Sequence, residues 1–155
     1  MSRIVILDSR PLGLITNPRQ NAEADACKVW MQGLLDGGDR VLVPEITDYE
    51  LRRELLRADK AAGLLALDRT KITLGYVPIT TAAMQRAAEF WAQARRMRLP
   101  TAPDLALDAG MILAAQAATL NPEVWGLPDA DVIIATSNVG HLSRFADARE
   151  WPDIV

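Results

Sequence analysis

Short runs of apolar residues alternate along the chain with longer segments in which apolar residues recur at every third or fourth position. The short runs are rich in β-branched residues and predict buried strands at 4–7, 40–44, 76–79 and 131–138. The longer segments predict helices at 19–36, 45–60, 61–74 and 80–98, and a helix that is apolar nearly all round at 111–120. We expect irregular structure at 100–110 and in the tail 141–154.

The segment 45–60 carries a specific helix-start signal. Glu50 follows Thr47 by three positions, which is the spacing of a capping box, in which both side chains bind backbone amides of the first turn. The helix is therefore expected to begin near Thr47. Glu50 accordingly has a structural interpretation, as a capping acid, beside any functional one.

Alternation of strand and helix favours the α/β class, as a three-layer α/β/α sandwich with a mostly parallel central sheet. A length of 155 residues fits a single domain spanning 1–155. In such sheets, ligands bind beyond the carboxyl ends of the strands. The residues that follow each strand are therefore the ones to inspect for chemistry.

Composition removes several classes of function. A hydrophobic share of 50% and a net charge of −3 are typical of a folded chain rather than a disordered one. One cysteine, Cys27, and one histidine, His141, exclude a disulfide framework and an ordinary zinc site, and Cys27 is interpreted as a packing residue. No apolar run approaches the ~18 residues of a membrane helix, and the first residues are too polar for a signal peptide. We therefore expect a cytoplasmic protein with no membrane association.

Acidic and amide side chains follow the strands and precede the buried helix. Asp8 ends the first strand, Glu50 follows the second, Asp104 and Asp108 precede the helix at 111–120, and Asn138 follows the last strand. Several carboxylates at one sheet edge would raise one another's pKa unless a cation neutralised them. Because the ligands are all oxygens, Mg²⁺ or Mn²⁺ is the expected ion. Each residue also has a structural alternative: a strand end, a cap, a solvated loop or a turn.

Other nucleotide and hydrolase motifs are missing from the sequence. It contains no GxxxxGKS/T phosphate loop, no GxGxxG after a strand and no GxSxG elbow. A phosphatase of the haloacid dehalogenase type would have DxD after the first strand, where this chain has Asp8, Ser9 and Arg10. A receiver-like or phosphatase domain is therefore a remote alternative.

Four segments resemble, in order, the sequence motifs of PIN domains. VILDSRPLGLITNP resembles the opening motif, with Asp8 at its acidic position, and TDYELRREL resembles the second, with Glu50 at its glutamate. MILAAQA resembles the third motif, and ATSNVGHLSRF resembles the fourth, with Asn138 at the acid or amide position. The set covers nearly the whole chain, and the nearest group is the VapC-like toxins.

The resemblance implies a Mg²⁺- or Mn²⁺-dependent endoribonuclease, the toxin of a type II toxin–antitoxin pair. Asp8, Glu50 and either Asp108 or Asp104 would hold the metal, which would activate water against an RNA phosphodiester. Asn138 would orient that water or a phosphate oxygen. The resemblance further implies a small antitoxin as partner, which inserts a segment into the active-site groove, and a homodimer.

Four arginines near the presumed sheet edge are candidates for holding RNA phosphates, with surface ion pairs as the alternative: Arg10, Arg52, Arg53 and Arg144. The sequence departs from the motif pattern at Gly110, where PIN domains have the third acid. Either Asp108 or Asp104 is expected to substitute for it. The alternative is a catalytically weakened PIN-like module that binds nucleic acid or a partner protein without cutting.

Overall fold

The computed structural model describes residues 2–97 and 104–155, and the side chains of residues 104–106 lie outside that description. Its strands are β1 (Ile4–Leu7), β2 (Arg40–Pro44), β3 (Tyr76–Val77), β4 (Val132–Ala135) and β5 (Ala148–Arg149). Its helices are α1 (Ser9–Ile15), α2 (Ala22–Asp36), α3 (Glu45–Arg57), α4 (Ala61–Leu74), α5 (Thr81–Arg96), α6 (Asp104–Thr119) and α7 (Val139–Leu142). Short 3-10 helices cover Pro122–Trp125 and Trp151–Asp153.

The five strands form one parallel sheet in the order β3-β2-β1-β4-β5. β1 is central, and its Ile4 lies level with Arg40 of β2 on one side and Val132 of β4 on the other. The α/β class predicted from the sequence is confirmed. Because β1, β2 and β4 are parallel neighbours, the segments that follow them begin at the same edge of the sheet.

The strands of this sheet supply side chains to a core on each face. In β1, Ile4 and Ile6 pack in one core with residues of α5 and α6, whereas Val5 and Leu7 pack in the other with residues of α1, α2 and α4. All four of these β1 side chains are fully buried. The predicted three-layer sandwich is thereby confirmed, and the assignment of 1–155 as a single domain stays a prediction.

Helix α1 is not among the helices predicted from the sequence, and it contains both Pro11 and Gly13. Asp8 nevertheless caps α1, with its carboxylate accepting from the backbone N–H of Ser9 at 2.7 Å. Pro11 falls in the first turn, where a backbone N–H has no helical partner, so its missing donor costs nothing there. The helix thus starts directly at the end of β1 and fixes the position of Asp8.

The capping-box interpretation of Thr47 and Glu50 is wrong. Helix α3 begins at Glu45 directly after Pro44, so Thr47 lies inside the first turn and Glu50 lies in the second. No side chain of the residue before the helix caps it. The amide of Ile46 instead donates to Oε1 of Gln116, a buried side chain of α6, at 3.2 Å.

Helix α6 begins at Asp104, seven residues before the expected start at 111. The expectation of irregular structure was therefore wrong for 104–110, because buried Leu107 and Ala109 extend the apolar face of the helix towards its start. The remainder of that predicted loop, 100–103, lies outside the described residues. The tail is also more regular than expected, because it contains β5, which pairs with β4 so that Ala148 lies level with Ile134.

Gln116 links three elements that meet beneath the carboxyl edge of the sheet. Besides accepting from Ile46, it donates from Nε2 to the backbone carbonyl of Val77, the last residue of β3, at 2.9 Å. It is 2% exposed, so water does not replace these bonds readily. The side chain therefore holds the start of α3, and with it the helix that carries Glu50.

Replacing Gln116 with Leu should destabilise the protein by about 1–3 kcal/mol, because the buried amide of Ile46 and the carbonyl of Val77 lose their partner. Chemical denaturation measures this change. Gln85→Leu, at an exposed position of α5, is the control and should stay within about 0.5 kcal/mol of wild type. Equal stability of the two variants would show that Gln116 does not hold α3.

Candidate active site at the carboxyl edge of the sheet

Asp8 lies at the end of β1 with both carboxylate oxygens engaged. Oδ1 accepts from the Ser9 amide and Oδ2 accepts from the hydroxyl of Thr136, each at 2.7 Å. Among the described residues, no arginine or lysine forms an ion pair with Asp8. Hydrogen bonds therefore orient this carboxylate, and no ion pair with a described basic side chain neutralises its negative charge.

Glu50 projects from the second turn of α3 towards the same place. Burial raises its pKa above the ordinary value, the charge of Asp8 raises it further, and Arg53 opposes both effects. The influence of Asp8 shows that the two carboxylates lie within electrostatic range of each other. The structure thus brings together the two acids that the sequence placed after β1 and β2.

Thr136 and Asn138 complete this edge from the end of β4. The Thr136 hydroxyl, fully buried, donates to Asp8 and accepts the backbone N–H of Asn138 at 2.8 Å. Asn138 has a φ of −111°, outside the left-handed region, and its side chain makes no capping bond to α7. The interpretation of Asn138 as a left-handed turn residue is therefore not supported, and its exposed amide stands at the predicted edge.

Thr136 is a site residue to which the sequence reasoning gave no role. Its position directly after a buried strand in the segment ATSN was the available signal, but hydroxyl side chains at strand ends are common. Only the fold shows that it reaches Asp8, from which it is separated by 128 positions.

Asp108 lies elsewhere. It is exposed and lines a groove of about 300 Å³ between α5 and α6, together with Trp91 and Met111. Gly110 lies two positions later, about 200° around the helix, and a β-carbon there would meet Leu142 of α7 at 3.7 Å. The structure therefore turns Gly110 towards Leu142 of α7, whereas Asp108 lies in the groove between α5 and α6. Asp104 starts α6, and its side chain lies outside the described residues.

The predicted phosphate-binding arginines have different surroundings. Arg52 donates to Asp48 and Asp68 at 2.9 and 2.6 Å, so its guanidinium joins α3 to α4. Arg10 pairs with Glu23 at 2.7 Å on the surface. Arg53 is exposed on α3, and Arg144 is exposed just after α7. Their contacts with RNA stay predictions.

Asp48 shows how a structural carboxylate differs from the pair at the edge. Although it lies two positions from Glu50, it is 7% exposed and is contacted by Arg52 at 2.9 Å and by Lys71 at 3.4 Å. Its charge is thus neutralised within the fold. In the described part of the chain, no basic side chain forms an ion pair with Asp8 or Glu50.

Cys27 does not contribute to this site. It is fully buried in the core beneath α1, and its thiol donates weakly to the carbonyl of Pro11 at 3.8 Å. Burial, with a smaller contribution from Glu23, raises the pKa of the thiol to about 12. Cys27 therefore remains a neutral packing residue, as its interpretation from sequence implied.

The donor set at the edge was compared with what a divalent ion requires. Among the side chains that the structure describes, in residues 2–97 and 107–155, no three His, Cys, Asp or Glu groups gather into a set that could hold a metal. Mg²⁺, however, usually keeps several waters and uses only one or two protein carboxylates. The carboxylates of Asp8 and Glu50 fit that requirement, and no cage of three or four acids forms among the described side chains.

Comparison with solved structures places this geometry in a known fold. VapBC-1 from nontypeable Haemophilus influenzae matches with a TM-score of 0.68 and 14% identity, over 97% of this chain and 99% of that one. FitAcB from Neisseria gonorrhoeae matches with a TM-score of 0.64 and 16% identity, over 97% and 99%. The chain has the fold of a VapC-like PIN domain.

A third PIN-fold match is VapBC2 from Rickettsia felis, solved with a DNA fragment from its promoter, with a TM-score of 0.64 and 13% identity over 96% of this chain and 98% of that one. Neither a protein-family model nor a curated protein matches the sequence itself. At these identities the likeness is one of fold. None of the helices described is long and apolar enough to cross a bilayer.

Glu50→Gln should stabilise the protein at about pH 7 without divalent ions, by on the order of 0.5 kcal/mol, because it removes a like-charge contact with Asp8. Burial and the charge of Asp8 raise the pKa of Glu50 in the folded state. The stabilisation linked to protonated Glu50 is therefore fully present below the pKa of Glu50 in the unfolded state, and it is lost as the pH rises through the pKa in the folded state. The difference should therefore disappear at about pH 4 and below.

Denaturation at both pH values, with a chelator present, measures this effect. Glu150→Gln, at an exposed position outside the site, is the control and should show no such pH dependence. A Glu50→Gln variant that is less stable than wild type at neutral pH would mean that the carboxylates do not repel each other.

Proposed function

We propose that this chain is a divalent-metal-dependent endoribonuclease of the VapC type, the toxin of a type II toxin–antitoxin pair. The observation that carries the proposal is the pair of Asp8 and Glu50, two carboxylates within electrostatic range that no bonded cation neutralises, at the ligand-binding edge of a PIN fold. Retaining such a repulsive pair is costly unless a cation binds there. Structural carboxylates in the same chain are paired instead.

Asp8 and Glu50 are the residues that would hold Mg²⁺ or Mn²⁺. When bound, the ion would lower the pKa of water and stabilise the charge that develops on the scissile phosphate. Asp8 is oriented for this role by Ser9 and Thr136, which leave its outward lone pairs available. Glu50 must lose its proton to act as a ligand, so its raised pKa makes binding weaken as pH falls.

Side chains around the pair supply the contacts that RNA needs. Asn138 has an exposed amide at the same edge, suited to a phosphate oxygen or to water. Arg53 lies close enough to Glu50 to lower its pKa, so its guanidinium can reach a phosphate beside the pair. Arg144 and Arg10 are exposed at the surface and would extend this contact along the strand.

A protein partner is part of the proposal. The similar structures are those of VapBC and FitAcB, and one of them was solved with promoter DNA. We therefore propose that a small antitoxin pairs with this chain in the cytoplasm, that it covers the active-site groove, and that the toxin forms a homodimer. A gene for a small DNA-binding protein directly beside the toxin gene would support this part of the proposal.

Asp8→Asn should reduce RNA cleavage in Mg²⁺ or Mn²⁺ by more than about 100-fold, since losing a ligand costs more than losing the groups around a ligand. The variant should also lose the heat of metal binding in calorimetry. Asp129→Asn, an exposed position before β4, is the matched control and should retain activity and binding. Cleavage that persists in a chelator, together with no detectable metal binding, would contradict the proposal.

A second candidate is a PIN-like module that binds RNA or a protein without cutting it. The observation in its favour is that α6 presents Gly110 where PIN domains have their third acid, while Asp108 lies on another side of the helix. With only two carboxylates, metal affinity is expected to be weak. An inactive wild-type protein that still binds RNA would favour this candidate.

Gly110→Asp tests whether a third acid is what the site lacks. A β-carbon is accommodated there, since its nearest neighbour would be Leu142 at 3.7 Å. We expect the variant to bind Mg²⁺ about 10-fold more tightly than wild type. Gly33→Asp, on α2 in open space, is the control and should leave metal binding unchanged. Unchanged affinity in both variants would show that position 110 does not face the metal site.

A further inference from the structure

Tyr49 is an exposed aromatic residue next to the carboxylate pair. It lies on α3 immediately before Glu50 and is 52% exposed. Among the described residues, Trp91 is the other aromatic side chain of comparable exposure, at 39%, and it lies in the groove between α5 and α6. Tyr49 is therefore the exposed ring that stands beside the proposed catalytic site.

Arg53 connects this ring to the site. Its guanidinium lies 5.2 Å from the centre of the Tyr49 ring, one helical turn further along α3. The same cation lowers the pKa of Glu50, so it acts on the ring and on the carboxylate from one position. Arg53 therefore lies beside the Tyr49 ring and close enough to Glu50 to act on its charge.

The surroundings of Tyr49 favour a planar polar ligand over an apolar protein surface. Next to it along the helix lie Arg52, Arg53 and Glu50, all of them charged. A large apolar partner would have to bury the exposed charge of Arg53, which is unfavourable without a new ion pair, whereas Arg52 is already paired with Asp48 and Asp68. A nucleobase instead stacks on the ring through its π-face and leaves its phosphate near the cation.

We propose that Tyr49 and Arg53 form a stacking platform that takes one base of single-stranded RNA beside Asp8 and Glu50. Sequence-specific proteins commonly hold unpaired bases on aromatic rings and guanidinium planes in this way. The inference rests on the proposed ribonuclease function and adds an RNA-binding residue to it. The platform places the base, and Asp8 and Glu50 act on a neighbouring phosphate.

Binding of a fluorescent, unstructured RNA of about ten nucleotides, measured by anisotropy in a chelator, tests the platform without metal or cleavage. Tyr49→Ala should bind about 5- to 100-fold more weakly, because a base loses its stacking partner. Tyr49→Phe keeps the ring and should bind within about twofold of wild type. Trp91→Ala removes the other exposed ring and should bind as wild type does.

Abasic substitutions along the RNA identify the stacked base. One abasic position should weaken binding to wild type by about as much as Tyr49→Ala does, and it should cause little further loss in the Tyr49→Ala variant. Duplex RNA, whose bases are already stacked, should bind equally to both proteins. In Mg²⁺, Tyr49→Ala should raise KM more than it lowers kcat.

Three outcomes would overturn the platform. The first is equal binding by wild type and Tyr49→Ala, and the second is a Tyr49→Phe variant as weak as Tyr49→Ala, which would assign the effect to the hydroxyl. The third is cleavage in Mg²⁺ by a wild-type protein that shows no binding in the chelator. All three leave the proposed function standing if cleavage still depends on Asp8. A wild-type protein that neither binds nor cleaves RNA would overturn both.

Discussion

The interaction on which the candidate site depends is the repulsion between two carboxylates, Asp8 and Glu50, which the fold keeps close together. Parallel pairing of β1 with β2 and β4 brings the segments that follow them to one edge, where Asp8 and Glu50 come within range of each other's charge. Both acids are held at that edge. The Ser9 amide and the Thr136 hydroxyl fix Asp8, and Gln116 anchors the start of α3, the helix that carries Glu50. The folded chain therefore keeps two carboxylates within range of each other's charge, and burial together with the charge of Asp8 raises the pKa of Glu50.

Two other carboxylates, Asp39 and Asp48, are bonded to basic side chains instead. Asp39 is 8% exposed and accepts from Arg3 at 2.9 Å, and Asp48 is held by Arg52 and Lys71. Such pairs satisfy a charge within the fold. The contrast sets Asp8 and Glu50 apart from carboxylates that are paired within the fold, and it does not depend on the likeness to solved PIN folds.

The sheet and the two central acids could be predicted from sequence, because apolar runs fix the strands and the order of elements fixes which strand ends meet. Features that depend on tertiary contacts could not. The capping-box spacing of Thr47 and Glu50 was misleading, since Gln116 of α6 supplies the bond that a local cap would have made. The side of α6 on which Asp108 lies could not be predicted, because it depends on the course of the helix, and α6 begins seven residues earlier than its apolar pattern suggests. Exposure of an aromatic ring such as Tyr49 likewise has no sequence signal.

The bond between Thr136 and Asp8 has a consequence for protein synthesis. It joins positions 128 residues apart, and β4 completes the sheet beside β1 only after most of the chain has been made. Chains leave the ribosome amino end first, so a nascent polypeptide holds Asp8 without the hydroxyl that orients it. Under the proposed ribonuclease function, the arrangement that orients Asp8 would therefore be completed only when translation is nearly finished.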